Sequence, residues 1–238
     1  GAVLYPALRD AFARIEEAAA RAAALSGAGG ELTLQVYVTV AARWLLPRLH
    51  RFEAAHPAIR LRLSTSHQSW GFDAESGVDA GLLYREPPLD KGLAWWPLFR
   101  ARLVTLAQAV AQAGLGLRQP AELVNHRLLA VYTAEADWAL WLEAAGVGQL
   151  AGRPGPRFDS YLLALEAAID GQGVALVPDF LAAPDLEAGR VVQPFPLAPP
   201  QRGAWYLACR QERRHDRRIA ALRIWLQSEI AADGLAGP

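Results

Sequence analysis

Five histidines and one cysteine are the side chains of this 238-residue chain best suited to bind a metal or attack a substrate. His50, His56, His67, His126 and His215 are scattered, and no two share the i, i+4 spacing that presents a metal pair on a helix. Cys209 stands alone, which excludes a disulfide framework and a cysteine metal cage. It sits in the apolar-rich segment Trp205–Cys209 and reads as buried and inert. There is no G-x-S-x-G elbow and no G-x-x-x-x-G-K-S/T phosphate loop. The pair in Gly171-Gln172-Gly173 closes a helix and leads into a strand. A dinucleotide loop has the opposite order, so these glycines read as a helix C-cap. The chain therefore reads as non-enzymatic, with no cofactor and no metal.

Hydrogen-bonding chemistry is what remains, and its position depends on the elements that carry it. The first 25 residues predict an amphipathic helix, with Leu4, Leu8, Phe12, Ile15, Ala19 and Ala22 at steps of three and four. Pro6 fits only near its start, and Ser26-Gly27-Ala28-Gly29-Gly30 ends it as a flexible joint. Such a stripe on a rod beside a joint either folds back onto the body of its own chain or, the favoured reading, takes a second copy of the chain as its partner. Beyond the joint, short β-branched runs alternate with helical stretches. Strands are expected over 32–38, 59–64, 78–84, 103–107, 128–133, 174–177, 191–192 and 205–209. Helices are expected over 41–55, 120–124, 137–145, 159–169 and 217–230, with a short one starting at Pro178. Strands separated by helices predict parallel or mostly parallel sheets covered on both faces.

The rhythm restarts near residue 106, which predicts two α/β lobes. The expected architecture is a clamshell of two Rossmann-like lobes joined by two crossover strands, with a long helix in front. Its boundaries are 1–27 for the pairing helix, 31–105 with 208–238 for lobe I, and 106–207 for lobe II. Ligands of open α/β lobes sit beyond the carboxyl ends of strands, near helix amino termini. In the first lobe that rule selects Thr39, Ser66, His67 and Tyr84. In the second it selects Tyr132, Thr133, Asp159, Ser160 and Tyr161. Thr39 and Asp159 equally suit plain helix caps, Tyr84 a rim position at the hinge, and His67 a surface loop.

One run carries a resemblance: Ala41-Ala42-Arg43-Trp44-Leu45-Leu46-Pro47-Arg48-Leu49, then Phe52 and Ala55-His56-Pro57. It resembles the first helix of the ligand domain in LysR-type transcription regulators, in the branch of the glycine-cleavage activator and the β-lactamase regulator. Further segments follow in the same order. They are Gly77-Val78-Asp79, Asp137-Trp138, Trp141-Leu142, the stretch Ala167 to Ala175, Gly189-Arg190-Val191-Val192 and Pro194-Phe195. Tyr5-Pro6-Ala7-Leu8 resembles the start of the family's linker helix. The resemblance implies a periplasmic-binding-protein-like type II fold, a small-molecule effector and pairing into a homodimer or homotetramer. It also implies DNA contact only through a winged helix-turn-helix N-terminal domain, absent here because Gly1 falls about where that domain ends. A solute receptor of the periplasmic type shares the clamshell and is the competing reading.

Three stretches depart from the branch's pattern: Val36-Tyr37-Val38-Thr39-Val40 with one hydroxyl, Leu83-Tyr84-Arg85, and Ala107-Gln108-Ala109. They predict a pocket more apolar or aromatic than is usual for the branch. Composition agrees with sensing through a partner domain. Lys and Arg together number 24, as do Asp and Glu, so the chain has no basic excess with which to grip DNA by itself. The run Arg210, Arg213, Arg214, Arg217 and Arg218 is interleaved with Glu212 and Asp216 and reads as the solvated start of the last helix. A single cysteine suits a reducing, cytoplasmic compartment. No segment approaches the roughly 20 apolar residues that span a bilayer, and no signal peptide opens the chain, so no membrane partner is expected.

Overall fold

The computed structural model describes residues 29–65, 77–109, 116–152 and 155–235. The expected pairing helix over 1–27 lies outside them, as do Ser66 and His67. Among the described residues the strands form two five-stranded sheets.

The first sheet has the order β2-β1-β3-β10-β4. Its strands are β1 (Gly30–Val36), β2 (Ile59–Thr65), β3 (Ala80–Arg85), β4 (Leu93–Phe99) and β10 (Ala204–Arg210). β1 runs parallel to β2 and β3, whereas β10 runs antiparallel to β3 and β4. The second has the order β7-β6-β8-β5-β9. It contains β5 (Leu103–Gln108), β6 (Leu128–Val131), β7 (Arg157–Phe158), β8 (Val174–Pro178) and β9 (Val191–Val192). β6 is parallel to β7 and β8, and β5 is antiparallel to β8 and β9. The expectation of mostly parallel sheets is thus corrected to mixed sheets. The chain crosses between lobes twice, after β4 and before β10, and each crossing delivers a strand that runs against its neighbours.

Helices cover both sheets. α1 begins as α-helix over Val38–Val40, widens to π-helix over Ala41–Leu45 and resumes as α-helix over Leu46–Ala55. Pro47 falls inside this continuous helix, directly after the π-helical stretch, where its missing N–H removes one bond of the ladder. Trp44, Leu45 and Phe52 are buried in the first core, which is the face that their spacing predicts. The others are α2 (Glu135–Ala144), α3 (Tyr161–Ile169), α4 (Asp179–Glu187) and α5 (Arg217–Ala232). Two clusters, one around Trp141 and Phe195 and one around Leu129 and Leu165, fill the two faces of the second sheet.

α3 ends on Gly171, whose φ of 75° suits glycine. The Gln172 N–H reaches Ala167 O at 2.9 Å and the Gly171 N–H reaches Ala168 O at 3.0 Å. That is a glycine C-cap, as its place between helix and strand predicts. α5 starts at Arg217 with Asp216 as N-cap, accepting from Arg218 N, so only Arg217 and Arg218 of the basic run open the helix. Arg210 ends β10, Arg213 ends the 3-10 turn between them and Arg214 is that turn's C-cap. Cys209 is fully buried, and desolvation pushes its thiol up to about 11. No group of His, Cys, Asp or Glu among the described residues could hold a metal. Nor is any described helix long and apolar enough to cross a membrane.

Candidate functional site

The parallel strands of both sheets end toward one cleft. β1 ends at Val36, and Tyr37, Val38, Thr39 and Val40 follow it into the wall of a cavity of about 580 Å³. β3 adds Tyr84, Arg85 and Glu86. From the other lobe, the end of β6 contributes Thr133 to Asp137, and the end of β7 contributes Asp159, Ser160 and Tyr161. Leu181 of α4 and Gln201 and Trp205 from the returning crossover complete the lining. This size lies within the usual range of about 300–1,000 Å³ for small-molecule sites.

Of the nine residues selected from sequence, the cavity gathers six: Thr39, Tyr84, Thr133, Asp159, Ser160 and Tyr161. Tyr132 is absent from the lining and 43% exposed. β6 stops at Val131, and the 3-10 turn Tyr132–Ala134 brings Thr133 rather than Tyr132 into the wall. Ser66 and His67 fall outside the described residues.

Thr39 does not cap its own helix. Its Oγ1 accepts from Leu162 N at 3.0 Å, so a residue of the first lobe satisfies an open N–H in the first turn of α3 in the second. Asp159, expected as the cap of that helix, lies one residue too early. Ser160 holds the N-cap position and makes no side-chain cap bond. The backbone oxygen of Asp159 accepts from Thr133 Oγ1 at 3.1 Å, which ties the two loops of the second lobe together. Asp159 Oδ1 is buried and has no hydrogen-bond partner.

At the centre is a polar chain that the sequence did not suggest. Tyr161 Oη donates to Asp137 Oδ2, and Gln201 Nε2 donates to the same oxygen at 3.4 Å. Gln201 Oε1 in turn accepts from Trp205 Nε1 at 3.4 Å. Burial pushes the Asp137 carboxyl above its usual value, partly offset by those two donors. Burial likewise pushes Tyr161 well above the ordinary phenol value. Tyr84 Oη accepts from Gly203 N at 2.8 Å and donates to Glu86 Oε1 at 3.3 Å. Desolvation, with Glu86 and Asp137 nearby, raises its hydroxyl to about 12. These phenols are neutral donors at any ordinary pH.

The expected apolar or aromatic character is half met. Tyr37 meets Trp205 edge-on at 5.8 Å between ring centroids, and Tyr84 lies 5.9 Å from it. Yet Glu86, Glu135, Asp137 and Asp159 also line the cavity. Asp137 was legible only as the start of a helix, and Glu135 fell between the expected strand and that helix. The clue was their place directly beyond the carboxyl end of a strand.

Behind the cavity the lobes are bolted together. Arg43 of α1 pairs with Glu166 of α3 and, at 2.8 Å, with Asp185 of α4. Asp185 is fully buried and also pairs with Arg190. Phe180 of α4 packs edge-on against Phe99 and Trp205 of the first lobe, at 5.0 and 5.3 Å.

Comparison with known proteins gives a consistent picture. The LysR substrate binding domain family matches residues 26–231. The glycine cleavage system transcriptional activator of Escherichia coli K12 is 30% identical over 233 residues, which cover 95% of this chain and 73% of that protein. The transcriptional activator AmpR of Pseudomonas aeruginosa is 35% identical over 245 residues, covering 98% and 77%. The solved effector domain of that AmpR superposes with a TM-score of 0.76 at 35% identity, covering 86% of this chain and 97% of that one. CrgA, a LysR-type regulator from Neisseria meningitidis, shares the fold with a TM-score of 0.76 at 21% identity, covering 97% and 79%.

Proposed function

The chain belongs to the LysR substrate-binding domain family, and on that premise we propose that the inter-lobe cavity is its effector site. The single observation that carries this reading is a cavity of about 580 Å³ walled by both lobes, with Thr39 on one side and Ser160 on the other. A small molecule that touches both walls favours one lobe arrangement by its differential affinity, and so shifts the population. Thr39, Tyr84, Thr133, Asp159, Ser160 and Tyr161 are the ligand contacts we assign, with Ser66 and His67 as further candidates.

The relatives are transcription activators by name, which supports a regulatory rather than a catalytic role and a cytoplasmic location. The same kinship favours this reading over a periplasmic-type solute receptor. In it, residues 1–27 form the pairing helix of a homodimer or homotetramer, and DNA is read by a domain outside this chain. Lobe I comprises 31–105 with 208–238, and lobe II comprises 106–207. Sheet membership supports the division with each cut a few residues earlier, since β5 belongs wholly to the second sheet and β10 to the first.

The test is a thermal-shift screen of amino acids, aromatic acids, amines and cell-wall fragments, because a ligand stabilises the folded state by mass action. Any hit is then titrated into the Thr39→Ala and Ser160→Ala variants. Weaker binding in both is expected. Affinity unchanged in both would remove the cavity from consideration.

A further inference from the structure

Among the described residues the cavity has four carboxylates in its wall, Glu86, Glu135, Asp137 and Asp159, against the single guanidinium of Arg85. They are not equivalent. Glu135 is paired outward with Arg157. Glu86, Asp137 and Asp159 make no ion pair with any described residue. Asp137 is hydrogen-bonded by neutral donors, with the charge of Arg202 acting on it from outside the lining, and Asp159 keeps its buried Oδ1 without a donor. A buried acceptor left unmet costs free energy that a donor-bearing ligand recovers.

Some of the seats an anion would use are already taken. Anions bind helix amino termini through free N–H groups and the helix dipole. The first turn of α2 carries its own acids, Glu135 and Asp137. In the first turn of α3, the Leu162 N–H is filled by Thr39 from the opposite lobe. Arg85 spends its Nη1 on the Tyr84 carbonyl at 2.9 Å and the Tyr37 hydroxyl at 3.4 Å. Four aromatic rings, Tyr37, Tyr84, Tyr161 and Trp205, line the remainder, and their π faces attract cations.

We infer that the effector is cationic, an amine or amidine whose protonated nitrogen seats against the Glu86, Asp137 and Asp159 carboxylates. The assignment rests on the cavity being the effector site. It deepens that reading by naming the ligand's charge, and it separates this chain from any sensor of simple carboxylates or phosphates.

The probes are phenethylamine, its neutral isostere 2-phenylethanol and the anion 3-phenylpropionate, titrated calorimetrically into the full chain at low and high salt. The amine is expected to bind about tenfold more tightly than the alcohol, as a charge-assisted hydrogen bond implies. The propionate should bind least, and salt should narrow the gap. Glu86→Gln combined with Asp159→Asn should lower the amine's affinity more than the alcohol's and so close most of the gap between them, with melting curves verifying that the variant folds. A propionate that binds as well as the amine, or an amine advantage that survives the double substitution, overturns the charge assignment and leaves the cavity as effector site. So does the failure of phenethylamine, methylamine and spermidine alike to bind at tens of millimolar. Amine binding indifferent to Thr39→Ala and Ser160→Ala instead overturns the cavity itself.

Discussion

Asp137 is the residue at which burial and function meet. Its carboxyl is raised above the ordinary 3.8 by desolvation, while Tyr161 and Gln201 hold its charged form. A carboxyl raised in the folded state binds its proton more tightly there than in the unfolded chain. Its contribution to stability is therefore greatest at low pH and is lost as pH rises from the usual carboxylate range through the folded value. Asp137→Asn keeps an oxygen for the Tyr161 hydroxyl and removes the titration. The variant's stability relative to the native chain should thus increase between about pH 4 and pH 7. Urea unfolding at both pH values checks this, and a constant difference would place the cost elsewhere. The sequence made Thr39 and Thr133 legible by the strands they follow or end, and Asp159, Ser160 and Tyr161 by the helix start they occupy. Gln201 could not be found that way. It lies in the crossover between lobes, and only the antiparallel return of β10 brings it to Asp137.

Among the elements, periodicity served the buried helices and central strands well, since Leu32, Leu34 and Val36 or Trp44 and Phe52 repeat at the spacing of their buried face. It failed at β4. Two tryptophans and Pro97 interrupt any alternation there, and proline is admissible because β4 is an edge strand of its sheet. The π-helical stretch Ala41–Leu45 was equally illegible, although it carries Arg43. That arginine supports a clean comparison. Its pair with Asp185 is buried, whereas the Glu166 side chain is 54% exposed. Arg43→Ala leaves a fully buried carboxylate with Arg190 alone and should cost about 3 kcal/mol. Glu166→Gln should cost under about 1 kcal/mol, as exposed pairs do. Equal costs in denaturant unfolding would show that α4 does not depend on α1. Thr39→Val belongs to the same seam. Loss of the acceptor for Leu162 N should cost about 1 kcal/mol, the usual worth of a cap. Hydrogen exchange should quicken in the first turn of α3.

For the whole molecule, these contacts set how far the clamshell can open. The lobes are joined by two crossovers, by the Phe180 packing against Phe99 and Trp205, by Thr39 on α3, and by Arg43 on α3 and α4. The last two can be removed without touching either sheet. Thr39→Val with Arg43→Ala should therefore release part of the population into wider arrangements, raising the radius of gyration in solution scattering without ligand. A ligand that needs both walls then binds only the fraction still closed, and its apparent Kd rises by the inverse of that fraction. Because Thr39 also lines the cavity, the comparison is with Thr39→Val alone: if adding Arg43→Ala opens half the molecules, the apparent Kd rises about twofold further. Saturating ligand should return the scattering curve to that of the native chain, because the ligand supplies the differential affinity that the seam has lost. Scattering that is unchanged in the double variant would mean that the crossovers and the Phe180 packing alone hold the lobes. The effector would then report its presence through some other movement than closure.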